Sequence, residues 1–151
     1  MQLKSLEDTQ NFSKNISKII SAGDIIFLYG EIGVGKTTFV RFFINHLESK
    51  NGIKNSDVLS PTFNIVYDYD VGNIKIIHYD LFRLKSNKDI SQLGMFETSQ
   101  NCIKIVEWPE LIKTKPKDRI DILFQYSKSI DSRKIKIIGF GKWKDYKFDE
   151  I

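Results

Sequence analysis

Apolar positions along the chain change period several times, and each change marks an element. Phe12, Ile16, Ile19 and Ile20 recur at helical spacing behind a Ser5 and Asp8 pair that reads as an N-terminal cap, and Gly23 ends the run. From Asp24 to Tyr29 the chain turns apolar without interruption and predicts a strand. Phe39, Val40, Phe42, Phe43, Ile44 and Leu47 return to the helical period, and Asn51-Gly52 closes that second helix. The stretch FNIVYDYDVGNIKIIHYD, Phe63 to Asp80, predicts two strands around a turn near Asp70 to Asn73, where Gly72 can take a positive φ. Such a hairpin means that the sheet is not wholly parallel.

Residues 86 to 100 read as short helical or irregular structure, and Cys102 to Val106 as a strand that closes on Glu107. Ile120, Ile122, Phe124 and Tyr126 alternate strictly; Ile135, Ile137 and Ile138 follow a polar turn at Ser127 to Ser132, which predicts an antiparallel pair. With no internal repeat, low-complexity tract or Pro/Gly linker, residues 1 to 151 are expected to form one α/β domain, a mixed parallel/antiparallel sheet flanked by helices.

Composition narrows the class only slightly. The lone Cys102 and the absence of a Cys/His cluster suit a reducing interior, so the expected location is cytoplasmic. The polar start MQLKSLEDTQ has no signal-peptide core, and no run approaches the ~20 apolar residues of a membrane span. Lys and Arg number 23 against 19 Asp and Glu, a net +4 spread along the chain, which gives little weight to direct nucleic-acid binding. Lys113, Lys115 and Lys117 read as a solvated loop rather than a nucleic-acid contact.

The candidate chemistry lies directly after the first strand. Gly30 to Thr37 read GEIGVGKT, the complete phosphate-binding pattern GxxxxGK[ST], which a chain of ordinary composition shows by chance in well under ~1% of cases. A strand that stops at Gly30 and a helix that starts near Lys36 would aim unpaired backbone N–H groups at phosphate oxygens. Gly33 and Gly35 lack a Cβ and let the backbone approach those oxygens. Lys36 supplies the point charge and the Thr37 hydroxyl a place for Mg²⁺. Nucleotide contacts are expected at Glu31, Ile32, Gly33, Val34, Gly35, Lys36, Thr37 and Thr38 of what would then be a P-loop NTPase-like fold. An acid must complete such a site from a neighbouring strand end. Asp80, after IKIIHY, and Glu107, after IKIV, both qualify, and position alone does not rank them.

Four further segments stand in a fixed order behind the loop: SPTF at Ser60 to Phe63, HYDLFRL at His78 to Leu84, LGMFE at Leu93 to Glu97 and VEWPE at Val106 to Glu110. Together with GEIGVGKTTF they resemble the TsaE (YjeE) family, from about Thr9 to about Arg133. The resemblance implies a Mg²⁺-dependent ATPase of bacterial tRNA threonylcarbamoyladenosine synthesis. Its partners would be TsaD and TsaB, with tRNA met through them, and no membrane would be involved. Thr37 and Glu107 would ligate Mg²⁺, and Asp80 and Lys36 would be catalytic, Asp80 orienting a water or holding a water of the metal shell. Ser60 to Phe63 would act as a switch loop, and Thr9, Trp108 and Arg133 would lie near ATP. Phe82 departs from the Tyr common in relatives, and LGMFE matches only loosely. Alone, such a protein is expected to turn over slowly, with partner contact completing the site.

Two other classes share the loop. A small-molecule or nucleoside kinase needs a lid rich in arginine, and Arg83, Arg119 and Arg133 are scattered. A nucleotide-gated binding module needs only docking in one nucleotide state. A GTPase is disfavoured because Asn87-Lys88-Asp89 puts its Asp one place early for [NT]KxD. Arg83 has two readings, a phosphate partner or a carboxylate partner, while His46 and Cys102 read as structural.

Overall fold

A computed structural model describes residues 1–97, 101–129 and 131–148. Seven strands form one sheet: β1 (Gln2–Leu3), β2 (Ile25–Tyr29), β3 (Val66–Val71), β4 (Ile74–Asp80), β5 (Cys102–Glu107), β6 (Arg119–Tyr126) and β7 (Arg133–Phe140). Their spatial order is β1-β7-β6-β2-β5-β4-β3. The four central strands, β6, β2, β5 and β4, run parallel, while β7, β1 and β3 add to the edges antiparallel. The expected mixed sheet is therefore present, with both hairpins where alternation and turn residues put them.

Helices α1 (Leu6–Ile19) and α2 (Lys36–Lys50) cover one face, and Phe12, Ile16, Phe39 and Phe43 bury themselves against Ile26, Leu28, Ile103, Ile105 and Ile122. The other face carries Phe27, Ile77, Tyr79 and Val106, packed under Ile90 of α3 (Asn87–Gln92), Met95 and Ile112. Covering on both sides explains why β2 reads as an unbroken apolar run and why β5 is apolar apart from Lys104 and its closing Glu107: a central parallel strand has no solvent face to mark with alternating polar residues. Ser5 caps α1 by accepting from the Asp8 amide at 3.0 Å, and Asp8 in return accepts from the Lys4 amide at 2.7 Å.

Several details differ from the expectation. β1 is two residues long, too short to carry a period, and it is held by β7. β3 starts at Val66 rather than Phe63, because Ile65 adopts a positive φ of 69° that no strand accommodates. The 86 to 100 stretch does hold a short helix, α3, closed by a capping box between Ser86 and Asp89; residues 98–100 of it lie outside the described residues, as does 130 of the last turn. Lys115 is not freely solvated: its Nζ donates to the Tyr29 hydroxyl at 2.9 Å. Among the described residues no helix is long and apolar enough to cross a membrane.

Candidate functional site

The parallel strands all end at one edge, and that edge carries the candidate residues. β2 runs into Gly30, whose φ of 136° and closeness to β6 leave no room for a side chain, since a Cβ there would stand 2.5 Å from the Phe124 carbonyl oxygen. The chain then folds around Glu31 to Val34 and enters α2 through Gly35, with φ at 114°. Because α2 starts at Lys36, its first amide groups face the loop without helical partners. Tyr126 of β6 closes the outside by donating to the Ile32 carbonyl at 2.7 Å.

Lys36 is buried, and its Nζ donates to the carbonyls of Gly30 at 2.6 Å and Glu31 at 3.0 Å. It also stands 3.9 Å from the centre of the Trp108 ring. Burial holds its ammonium below the usual lysine range, with Glu107, Glu110 and Asp80 pulling in the opposite direction. Next to it the Thr37 hydroxyl donates to Oε1 of Glu107 at 2.8 Å.

Glu107 ends β5, and Asp80 ends β4 as its register partner, so the two acids the sequence could not rank stand side by side. Both are nearly fully buried. Asp80 accepts on Oδ1 from the Phe82 amide at 2.9 Å and on Oδ2 from Thr62 at 2.6 Å and Ser60 at 3.4 Å. Ser60 and Thr62 are joined to one another at 2.7 Å. The SPTF segment is thus tied to the strand-end acid by its hydroxyls, while Phe63 turns outward, 83% exposed, with the Arg83 guanidinium 5.0 Å from its ring. Among the described residues no carboxylate pairs with Arg83, and it lines neither of the two cavities at the loop.

Two cavities meet at the loop. One, about 320 Å³, is lined by Ile32, Gly33, Gly35, Lys36, Thr37, Thr38, Ser60, Thr62, Asp80, Phe82, Glu107 and Trp108. The other, about 520 Å³, lies between α1, the loop and the last hairpin, where Thr9 and Arg133 join Gly33, Val34, Gly35 and Thr38. Arg133 reaches the loop itself, its Nε donating to the Val34 carbonyl at 3.0 Å. Of the anticipated residues only Glu31 lines neither cavity; its side chain is exposed and its carbonyl serves Lys36. Trp108 takes a left-handed backbone, φ 58°, that turns its ring over Lys36 and against Phe82, 4.9 Å between ring centres.

His78 is a neighbour of these candidate residues to which sequence reasoning gave no role. It is fully buried on β4, and its Nε2 lies 2.9 Å from Oε1 of Glu107. The signal was a histidine two residues ahead of an acid inside an apolar strand. His46, on α2 beside a cleft shared with α1, and the buried Cys102 stand away from this edge. Hydroxyl and carboxylate oxygens from Thr37, Glu107 and Asp80 make a donor set suited to a hard cation such as Mg²⁺. Among the described residues no group of three His, Cys, Asp or Glu side chains gathers to hold a metal by itself. A cation here would have to share its shell with phosphate and water, as Mg²⁺ does with nucleotides.

Comparison with known proteins gives a consistent result. The family model described as "Threonylcarbamoyl adenosine biosynthesis protein TsaE" matches residues 3–135. Proteins named tRNA threonylcarbamoyladenosine biosynthesis protein TsaE are similar along most of the chain. The Rickettsia typhi protein is 39% identical over 111 residues, 74% of this chain and 74% of its own length. That of Aquifex aeolicus is 35% identical over 138 residues, covering 89% and 92%. The crystal structure of Bacillus subtilis YdiB superposes with a TM-score of 0.73 at 27% identity, covering 94% of this chain and 85% of YdiB.

Proposed function

The chain belongs to the TsaE family, and on that premise we propose that it is a Mg²⁺-dependent ATPase of tRNA threonylcarbamoyladenosine synthesis. It acts on a TsaB-TsaD complex in the cytoplasm and allows that complex to complete repeated rounds, meeting tRNA only through it. Residues 1 to 151 act as one domain. The observation that carries the proposal is the meeting of Lys36, Thr37, Asp80 and Glu107 around one cavity of about 320 Å³.

In this account ATP lies across the loop. Its adenosine part occupies the larger cavity between Thr9 and Arg133, and its phosphates enter the smaller one. The amides at the start of α2 bind phosphate oxygens, and Lys36 exchanges two carbonyl partners for them. Thr37 and Glu107 would hold Mg²⁺, which when bound would neutralise charge on the phosphates. Asp80 faces the γ-phosphate and orients the attacking water. Its Oδ2 is now engaged by Ser60 and Thr62, two hydroxyls that a γ-phosphate can draw away. Water attacks phosphorus, the bond to the ADP oxygen breaks, and inorganic phosphate leaves.

Hydrolysis rather than transfer to an acceptor is supported by where the arginines lie. Arg83 stacks on Phe63, Arg119 on Phe140 at 3.7 Å, and Arg133 borders the other cavity, so they do not gather into one lid. Phosphate release from ATP tests the proposal. A slow rate alone, a higher one with TsaB-TsaD and none in EDTA are expected. A rate indifferent to EDTA, or delivery of the γ-phosphate to a nucleoside in preference to water, would contradict it.

A further inference from the structure

Glu107 ends in a carboxylate with two oxygens, yet among the described residues both of its side-chain hydrogen-bond partners meet one of them. Thr37 donates to Oε1 from 2.8 Å, and His78 Nε2 lies 2.9 Å from the same atom. An ionised carboxylate can only accept, so the histidine proton resides on Nε2. The other ring nitrogen, Nδ1, is buried and has no hydrogen-bond partner among the described residues. His78 has no exposed surface, so it makes no contact with solvent or with a ligand at the surface. Among the described residues its one polar side-chain partner is Glu107. A buried polar ring with one half of its hydrogen-bonding capacity unused costs stability, which an apolar residue in the same strand would avoid. What the ring supplies in return is a fixed direction: β4 and β5 are paired in register from Lys75-Cys102 to Asp80-Glu107, so ring and carboxylate are anchored to one rigid element.

We infer that His78 is a positioning residue for Glu107. Its Nε2–H pins Oε1 toward the sheet and leaves the remaining acceptor capacity of the carboxylate for the cavity that Glu107 lines. The inference rests on Glu107 and Thr37 acting as the Mg²⁺ residues. Groups that orient a metal ligand from behind typically change metal affinity by about 10- to 100-fold when removed. The effect belongs to the metal dependence of nucleotide binding and not to nucleotide binding itself.

Calorimetric titration with a non-hydrolysable ATP analogue, over a series of Mg²⁺ concentrations and in EDTA, tests it. His78→Gln keeps an amide N–H near the place of Nε2, His78→Leu removes the donor at similar volume, and His78→Asn carries a donor one bond too short. The leucine and asparagine variants are expected to need about tenfold more Mg²⁺ for half effect, the glutamine variant to stay near wild type, and affinity in EDTA to be equal in all. Should the leucine variant fail to fold, the contrast between asparagine and glutamine decides. Unchanged Mg²⁺ dependence in the leucine and asparagine variants, equal impairment of glutamine and leucine, or an equal loss in EDTA each overturns the inference. Glu107→Gln, run in parallel, separates the two levels: if it leaves the Mg²⁺ dependence intact, the metal assignment itself is wrong, whereas a shift there without one at His78 removes only the positioning role.

Discussion

Lys36 must give up what now holds it before it can meet a phosphate. Two carbonyls and the face of Trp108 surround its Nζ, and transfer of the ammonium onto phosphate oxygens changes the charge beside the indole. Adding Mg-ATP to a Trp143→Phe protein, in which Trp108 is the remaining tryptophan, is therefore expected to change its emission, and Lys36→Ala to lose most of that response. An unaltered signal in the first protein would mean that Trp108 does not report on the loop. Much of this site is legible residue by residue, because the phosphate loop writes its chemistry in consecutive positions. Asp80 and Glu107 are legible as strand-end acids, but their adjacency is a matter of register between strands 27 residues apart, which no local pattern encodes. His78 escaped for the same reason: its partner lies across the sheet.

At the scale of elements, the second face of the sheet has a polar network that links β2, β6 and the loop before β6. Asp121 accepts from Arg119 Nε at 3.0 Å and from the Tyr29 hydroxyl at 3.4 Å, and Lys115 donates to that same hydroxyl. Burial pushes the Asp121 carboxyl above the ordinary carboxylate range, and Arg119 and Lys115 offset this only in part. Between the ordinary value and the raised one, the folded chain holds more protons than the unfolded chain, so stability falls as pH rises through that window. Asp121→Asn should flatten this part of the melting-temperature profile against pH, while an identical slope would show that Asp121 does not titrate there. Alternation and capping predicted the helices and long strands well. They missed β1, which two residues cannot announce, and the late start of β3, which is set by the left-handed Ile65. Lys115 looked like one of three loop lysines until Tyr29 of β2 came beneath it.

The whole molecule places a loop, two acids and two cavities at one edge of a mixed sheet. Membership in the TsaE family gives that edge its biological setting. Fold class was readable from the chain because each central strand, each amphipathic helix and each turn is specified by nearby residues. The net charge of +4 said little, since it is spread along the chain. The central claim is the proposed one, that hydrolysis by this protein serves a partner complex. Its most direct measurement counts threonylcarbamoyladenosine formed per TsaB-TsaD complex when this protein is supplied as wild type or as Asp80→Ala, with ATP binding of both confirmed by calorimetry. The account predicts many rounds with wild type and about one with Asp80→Ala at undiminished ATP binding. Equal numbers of rounds with the two proteins would contradict it.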